Sequence, residues 1–280
     1  MARILTDPSS SGLGGLIHSN PIITRLSKIM EQDDQNSCTY AGIGRKLLFF
    51  VAMVVVGILI NAILKFGGTA LGGIELEELA PGVTVSGTEM LLLAITGLIF
   101  LIVPFVSFLI RKTIPVTGAL YCAATGYLLS WLGATFGREY TGPILLSLVI
   151  TVVLVLAMGY VYFTGAVSME NAKVRKAITI IFITMVVTSL LVLVASLIPF
   201  TRPFVAAITA NPVISIGGGI LMVILGCLFL LVDFDTIRRS VDNRLPKEYE
   251  WYAAYGLIFS VIWVYFKILQ IVLRMTQKKN

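Results

Sequence analysis

Seven runs of about 20 mostly apolar residues, separated by short charged stretches, limit this chain more than any other feature. At a rise of about 1.5 Å per residue, each run is long enough to cross the hydrocarbon core of a bilayer. Main-chain amides in lipid have no water to bond, so each run must satisfy its own hydrogen bonds as a helix. The runs are Leu47–Leu64, Met90–Ile110, Val116–Phe136, Ile144–Phe163, Ala177–Ile198, Val213–Ile237 and Ala254–Arg274. With 57% hydrophobic and only 13% charged residues, the chain cannot cover itself with a water-facing surface, which excludes a soluble fold. The expected fold class is an all-α integral membrane protein, a seven-transmembrane-helix bundle. It has a polar N-terminal tail over 1–44, a membrane domain over 45–275 and a short tail over 276–280. The tail has no charged, apolar and small-residue sequence of regions that would make it a signal peptide.

The charges between the runs set an orientation. The N-terminal tail and the links after the second, fourth and sixth runs carry fourteen Lys and Arg, against six on the other segments outside the membrane. By the positive-inside rule the N-terminus is cytoplasmic and the C-terminus outside. The net charge of +6 is thus a topology signal and does not imply nucleic-acid binding. The bilayer is the expected partner, and composition does not set an oligomeric state.

Chemistry-bearing residues are few. Cys38, Cys122 and Cys227 are far apart, in no spacing that would hold zinc or an iron–sulfur cluster, and read as structural thiols. The single histidine, His18, lies in the tail, so neither a His-based metal site nor a Ser-His-Asp triad can be assembled. No enzymatic activity and no resident cofactor or metal is expected. The third run carries Gly118, Cys122, Gly126, Ser130 and Ala134 at four-residue spacing, a groove of small side chains that should receive another helix backbone.

At membrane depth the ionisable residues are Asp233 and Asp235 in the sixth run and Lys267 in the seventh. Such residues are costly in lipid and are functional candidates by default. Asp233 falls about four residues from the inner end of the sixth run. Asp235 lies nearer the interface and on the opposite side of the helix, so the two do not form a proton-sharing dyad. Asp235 reads first as a solvated helix-end carboxylate or one paired with Arg238 or Arg239, and Lys267 as a side chain that snorkels to the outer interface.

Three segments carry a family resemblance: Leu231-Val232-Asp233-Phe234-Asp235-Thr236-Ile237, Glu250-Trp251-Tyr252-Ala253-Ala254, and Ile262-Trp263-Val264-Tyr265-Phe266-Lys267-Ile268-Leu269. Together they resemble the C-terminal signature of the bacterial Bax inhibitor/YccA-like proteins, and Ser19-Asn20-Pro21 with Arg25 resembles the opening of one bacterial branch. The resemblance implies a bundle with the last helix at its centre, in a bacterial inner membrane. It also implies a pH-sensitive calcium leak, sensed by one aspartate on helix six and another on helix seven, with an arginine near the end of helix two as an alternative partner.

Asp233 matches the helix-six aspartate, and Arg111 is the nearest match to the arginine. The helix-seven aspartate aligns with Ser260, so the two-carboxylate sensor is incomplete. A single carboxylate has no partner with which to share a proton, so pH gating near neutrality is not expected. A cationic Lys267 in a central helix also opposes a passing calcium ion. The expected site is therefore a latch of Asp233, Ser260 and Arg111, with calcium as a transported ion. The alternative is a non-conducting membrane partner that modulates another complex, such as a quality-control protease. A retinal protein is disfavoured because the third run has no carboxylate counterion, and an intramembrane protease because its motifs are missing.

A reporter that is active only in the cytoplasm should be silent when fused after Asn280 and active when fused in the link between the sixth and seventh runs. The reverse pattern would overturn the orientation.

Overall fold

The structure, a computed structural model, describes residues 36–68, 76–80, 83–167, 169, 171–211 and 216–277. The tail through Gln35 with His18, Ser19-Asn20-Pro21 and Arg25, the loop positions Glu75 and Pro81-Gly82, the Val213 start of the sixth run, and 278–280 lie outside them. Seven long helices match the seven runs: α1 (Tyr40–Gly68), α2 (Gly87–Leu109), α3 (Ile114–Phe136), α4 (Arg138–Phe163), α5 (Ala172–Leu197), α7 (Gly218–Asp242) and α8 (Tyr249–Gln277). Two elements were not anticipated. The nine-residue α6 (Arg202–Ala210) starts at a proline-bearing turn after α5. A small antiparallel pair, β1 (Leu76–Ala80) and β2 (Val83–Ser86), occupies the link before α2.

Among the described residues, six of the helices are both long and apolar enough to cross a membrane, and α3 is long but less apolar. Position explains the difference. α3 packs between α1 and α2 and also touches α4 and α8. It therefore faces neighbours more than lipid and can carry Gly, Ser, Thr and Tyr where a lipid-facing helix carries Leu and Val. α3 and α4 are separated by Gly137 alone, whose φ of +72° lets the chain reverse there.

The last helix is the centre of the bundle. In α8, 61% of the span is buried, against 6–17% in α1, α2, α4 and α5, and α8 packs on α1, α3, α4 and α7. Its inner faces carry Ala254, Tyr255, Phe259, Val264 and Ile268, all buried.

In lipid, apolar burial gives little preference for one helix over another, so close backbone approach and buried polar contacts hold neighbours together. The α1–α3 interface shows this directly. A Cβ placed on Gly126 would land on the Val54 carbonyl, and one on Gly57 of α1 would land on the Ala123 carbonyl. The groove of α3 thus meets a complementary glycine on α1. Gly118 faces the Phe50 and Tyr255 rings, Cys122 is fully buried, and Ser130 donates to Asn61 Oδ1 at 3.1 Å. A single interhelical hydrogen bond is worth about 0.6 kcal/mol, whereas forcing side chains into a filled interface costs about 1–3 kcal/mol. The glycine contacts therefore dominate.

The α7–α8 contact follows the same rule: a Cβ on Gly226 would come within 2.6 Å of Val264 Cγ2. Gly126→Leu and Gly57→Leu should each lower the melting midpoint in detergent by roughly 5 °C or more. Gly97→Leu on α2, where an added Cβ meets nothing within 4 Å, should leave it unchanged. Equal midpoints for all three would contradict this packing.

Candidate functional site

The segments carrying the basic residues gather at one end of the bundle. There, residues before α1 pair with the α7–α8 link: the Cys38 amide donates to the Leu245 carbonyl at 2.7 Å, and the Lys247 amide to the Asn36 carbonyl at 2.9 Å. Glu250, in the first turn of α8, reaches back to α1. It accepts from the Thr39 amide at 3.0 Å and the Thr39 hydroxyl at 3.2 Å and pairs with Lys46. Gly42 must be glycine here because a Cβ would collide with the Glu250 carboxylate. Burial, helped by the Glu250 charge, pushes the neighbouring Cys38 thiol up to about 11, so it stays protonated and unreactive at neutral pH.

α7 continues past the expected Ile237 to Asp242. Asp233 is therefore nine residues from the end rather than four, or about 13 Å deep. Ser260 is eleven residues into α8, about 16 Å, so the two still come to a similar depth on antiparallel neighbours. Asp233 faces α8: its Oδ1 lies 3.5 Å from where a Gly256 Cβ would be. The Ser260 hydroxyl donates to the Gly256 carbonyl, at 3.0 Å. Asp233 Oδ2 is buried and has no hydrogen-bond partner among the described residues.

Asp233 also lines a cavity of about 580 Å³. The walls come from the first two turns of α5 (Arg175, Lys176, Thr179), from Phe229 and Thr236 of α7, and from Tyr252 and Gly256 of α8. Further from the basic end Phe229 belongs to an aromatic stack. Phe182 of α5 stacks on Phe229 with ring centres 3.8 Å apart, and Trp263 of α8 meets Phe182 edge-on at 5.0 Å.

Three expectations need correction. Arg111 does not reach Asp233. It hydrogen-bonds the Tyr249 hydroxyl at 3.2 Å and lies over the Tyr249 and Tyr252 rings at 5.6 and 5.3 Å. Leaving the end of α2, its guanidinium finds aromatic faces at the surface before it could reach a carboxylate two turns deeper.

Lys267 does not snorkel outward. Helix side chains lean toward the N-terminus. Its ammonium accordingly turns back over Trp263, 5.4 Å from the ring centre, and donates to Ser189 Oγ of α5 at 3.2 Å. It stands behind the aromatic stack.

Asp235 is buried rather than solvated. Its Oδ2 takes Arg239 Nε at 2.6 Å, as the sequence allowed, and also Arg175 Nη1 of α5 at 2.8 Å. Its Oδ1 accepts from the Tyr162 hydroxyl of α4 at 3.1 Å. Arg238 pairs with Asp242 instead, at 3.4 Å. Asp235 thus ties α4, α5 and α7 together.

Sequence reasoning missed Arg175 and Glu250 as partners. Arg175 appeared only as one of three basic residues in the α4–α5 link, and Glu250 only within the signature that carried the resemblance.

The fold and site together define a seven-helix membrane protein with a central last helix and, among the described residues, one carboxylate lining a cavity at its basic end. Residues 20–277, nearly the whole chain, match the family model described as Bax inhibitor 1 like, and the chain belongs to that family. No curated protein and no solved structure matches the chain.

Removing one partner of a buried ion pair leaves the other uncompensated. Part of that cost is relieved here because the Arg239 side chain is 42% exposed. Asp235→Ala should therefore destabilise the detergent-solubilised protein by roughly 2 kcal/mol. Asp242→Ala, which breaks a pair with both side chains 58% exposed, should change stability by less than about 1 kcal/mol. Equal effects in chemical denaturation would refute the hub role of Asp235.

Proposed function

We propose that this Bax inhibitor-like protein is a closed ion leak pathway, with a cation, calcium by family resemblance, entering from the basic end toward Asp233. The observation that carries the reading is the Asp233 carboxylate, buried with one oxygen unpartnered among the described residues, on the wall of the α5/α7/α8 cavity. In this reading Asp233 and Ser260, at similar depth on α7 and α8, form the latch. Arg111 is not part of the latch. The stack of Phe182, Phe229 and Trp263 is the point of closure. In this reading the basic end is cytoplasmic, in a bacterial inner membrane.

A second reading, a non-conducting partner that modulates another membrane complex, draws on two observations. Gly126 of the α3 groove is packed against the α1 backbone. Lys267 also places a positive charge directly behind the aromatic stack, against a passing cation.

Calcium and proton flux in proteoliposomes separates the two. Phe182→Ala should raise flux several-fold by opening the closure. Ser260→Asp sets a second carboxylate against Asp233, so the pair must share a proton and flux should become pH-dependent between about pH 5.5 and 8. Wild type and Asp233→Asn should give flat profiles. Flat, equal profiles in all four proteins would remove the leak reading and leave the modulatory partner.

A further inference from the structure

The cavity at the basic end carries groups of both signs. Its deep wall holds a carboxylate, Asp233, and its rim holds two cations, Arg175 and Lys176, in the first two turns of α5. The rim is also where the amide groups and dipole of the α5 N-terminus favour an anion. Arg175 spends Nη1 on Asp235 and keeps the other donors of its guanidinium fork. Lys176 is exposed and, among the described residues, makes no ion pair with a carboxylate. Ile180 lines it at about the depth of Asp233, and Val232 and Phe229 line it further from the rim. The volume of about 580 Å³ is that of a ligand site.

We infer that this cavity binds a ligand carrying a primary ammonium and a phosphate, the chemistry of an ethanolamine phospholipid headgroup. The ammonium pairs with the Asp233 carboxylate, the phosphate takes Lys176 and Arg175, and Ile180, Val232 and Phe229 offer apolar surface beside them. The order of charges selects against the alternatives. A choline headgroup has no N–H to give Oδ2. An anionic glycerol headgroup brings no cation to Asp233. A resident metal ion fits less well, because no group of three or more His, Cys, Asp or Glu suited to hold one occurs among the described residues. The site lies within membrane-spanning helices, on the wedge between α5 and the first turns of α8, where a headgroup drawn from the adjoining leaflet would arrive. The inference holds whether or not the bundle conducts, because its readout is binding and not flux.

The test uses the full chain in detergent. Phosphatidylethanolamine, phosphatidylcholine and phosphatidylglycerol of identical acyl chains are titrated while the melting midpoint and lipid retention in native mass spectrometry are followed, and free phosphoethanolamine is titrated in parallel. Phosphatidylethanolamine should raise the midpoint and be retained more than the other two lipids. Asp233→Asn should abolish its advantage over phosphatidylcholine. Lys176→Gln, at an exposed position that should not disturb folding, should weaken retention roughly fivefold. A response to free phosphoethanolamine equal to that of the lipid supports the chemistry and places the source in solution. Equal behaviour of the three lipids with no response to phosphoethanolamine would overturn the inference. So would an ethanolamine preference that survives in Asp233→Asn or is untouched in Lys176→Gln.

Discussion

The bundle depends on how closely two helix backbones can approach where apolar side chains gain little by leaving lipid. Gly57 against the Ala123 carbonyl and Gly126 against the Val54 carbonyl bring α1 and α3 into backbone contact, and Gly226 of α7 leaves room for the Val264 and Trp263 side chains of α8. These approaches fix α1, α3 and α7 around α8. The position of α8 then decides which polar residues are buried. Ser260 and Glu250 are buried because the helix that carries them is surrounded, although neither lies in an unusual local sequence.

Two carboxylates two residues apart illustrate what that arrangement does. Asp235 points toward α4 and α5 and receives Tyr162, Arg175 and Arg239, so its charge is balanced and its role is to join helices. Asp233 points toward α8 beside Gly256, lines the cavity, and has one oxygen with no hydrogen-bond partner among the described residues. A helical turn of about 100° per residue separates them by more than half the circumference. Of two similar side chains, one joins three helices and the other lines the cavity.

Much of the architecture was legible because the bilayer imposes it: the length of each apolar run, the small-residue groove of α3 and the side on which basic links fall. The start of α1 at Tyr40 and the extension of α7 to Asp242 were not, because polar residues at a helix end pair with neighbours that apolar counting does not see. The site was legible to the level of Asp233 and Ser260, whose depths match in an antiparallel pair. Its partners were not. Arg111 and Lys267 each have long side chains, and their endpoints were set by aromatic faces at Tyr249, Tyr252 and Trp263, which only tertiary packing brings near.

The central claim is that Asp233 is reached from the basic end of the bundle and shut off beyond it by Phe182, Phe229 and Trp263. Substituted-cysteine accessibility tests it most directly, in a background with Cys38, Cys122 and Cys227 replaced, using a small cationic thiol reagent applied to vesicles of each orientation. The account predicts that Asp233→Cys reacts from the basic side only and that Lys267→Cys does not react from that side. Reaction of Asp233→Cys from neither side, or from the opposite side, would contradict it.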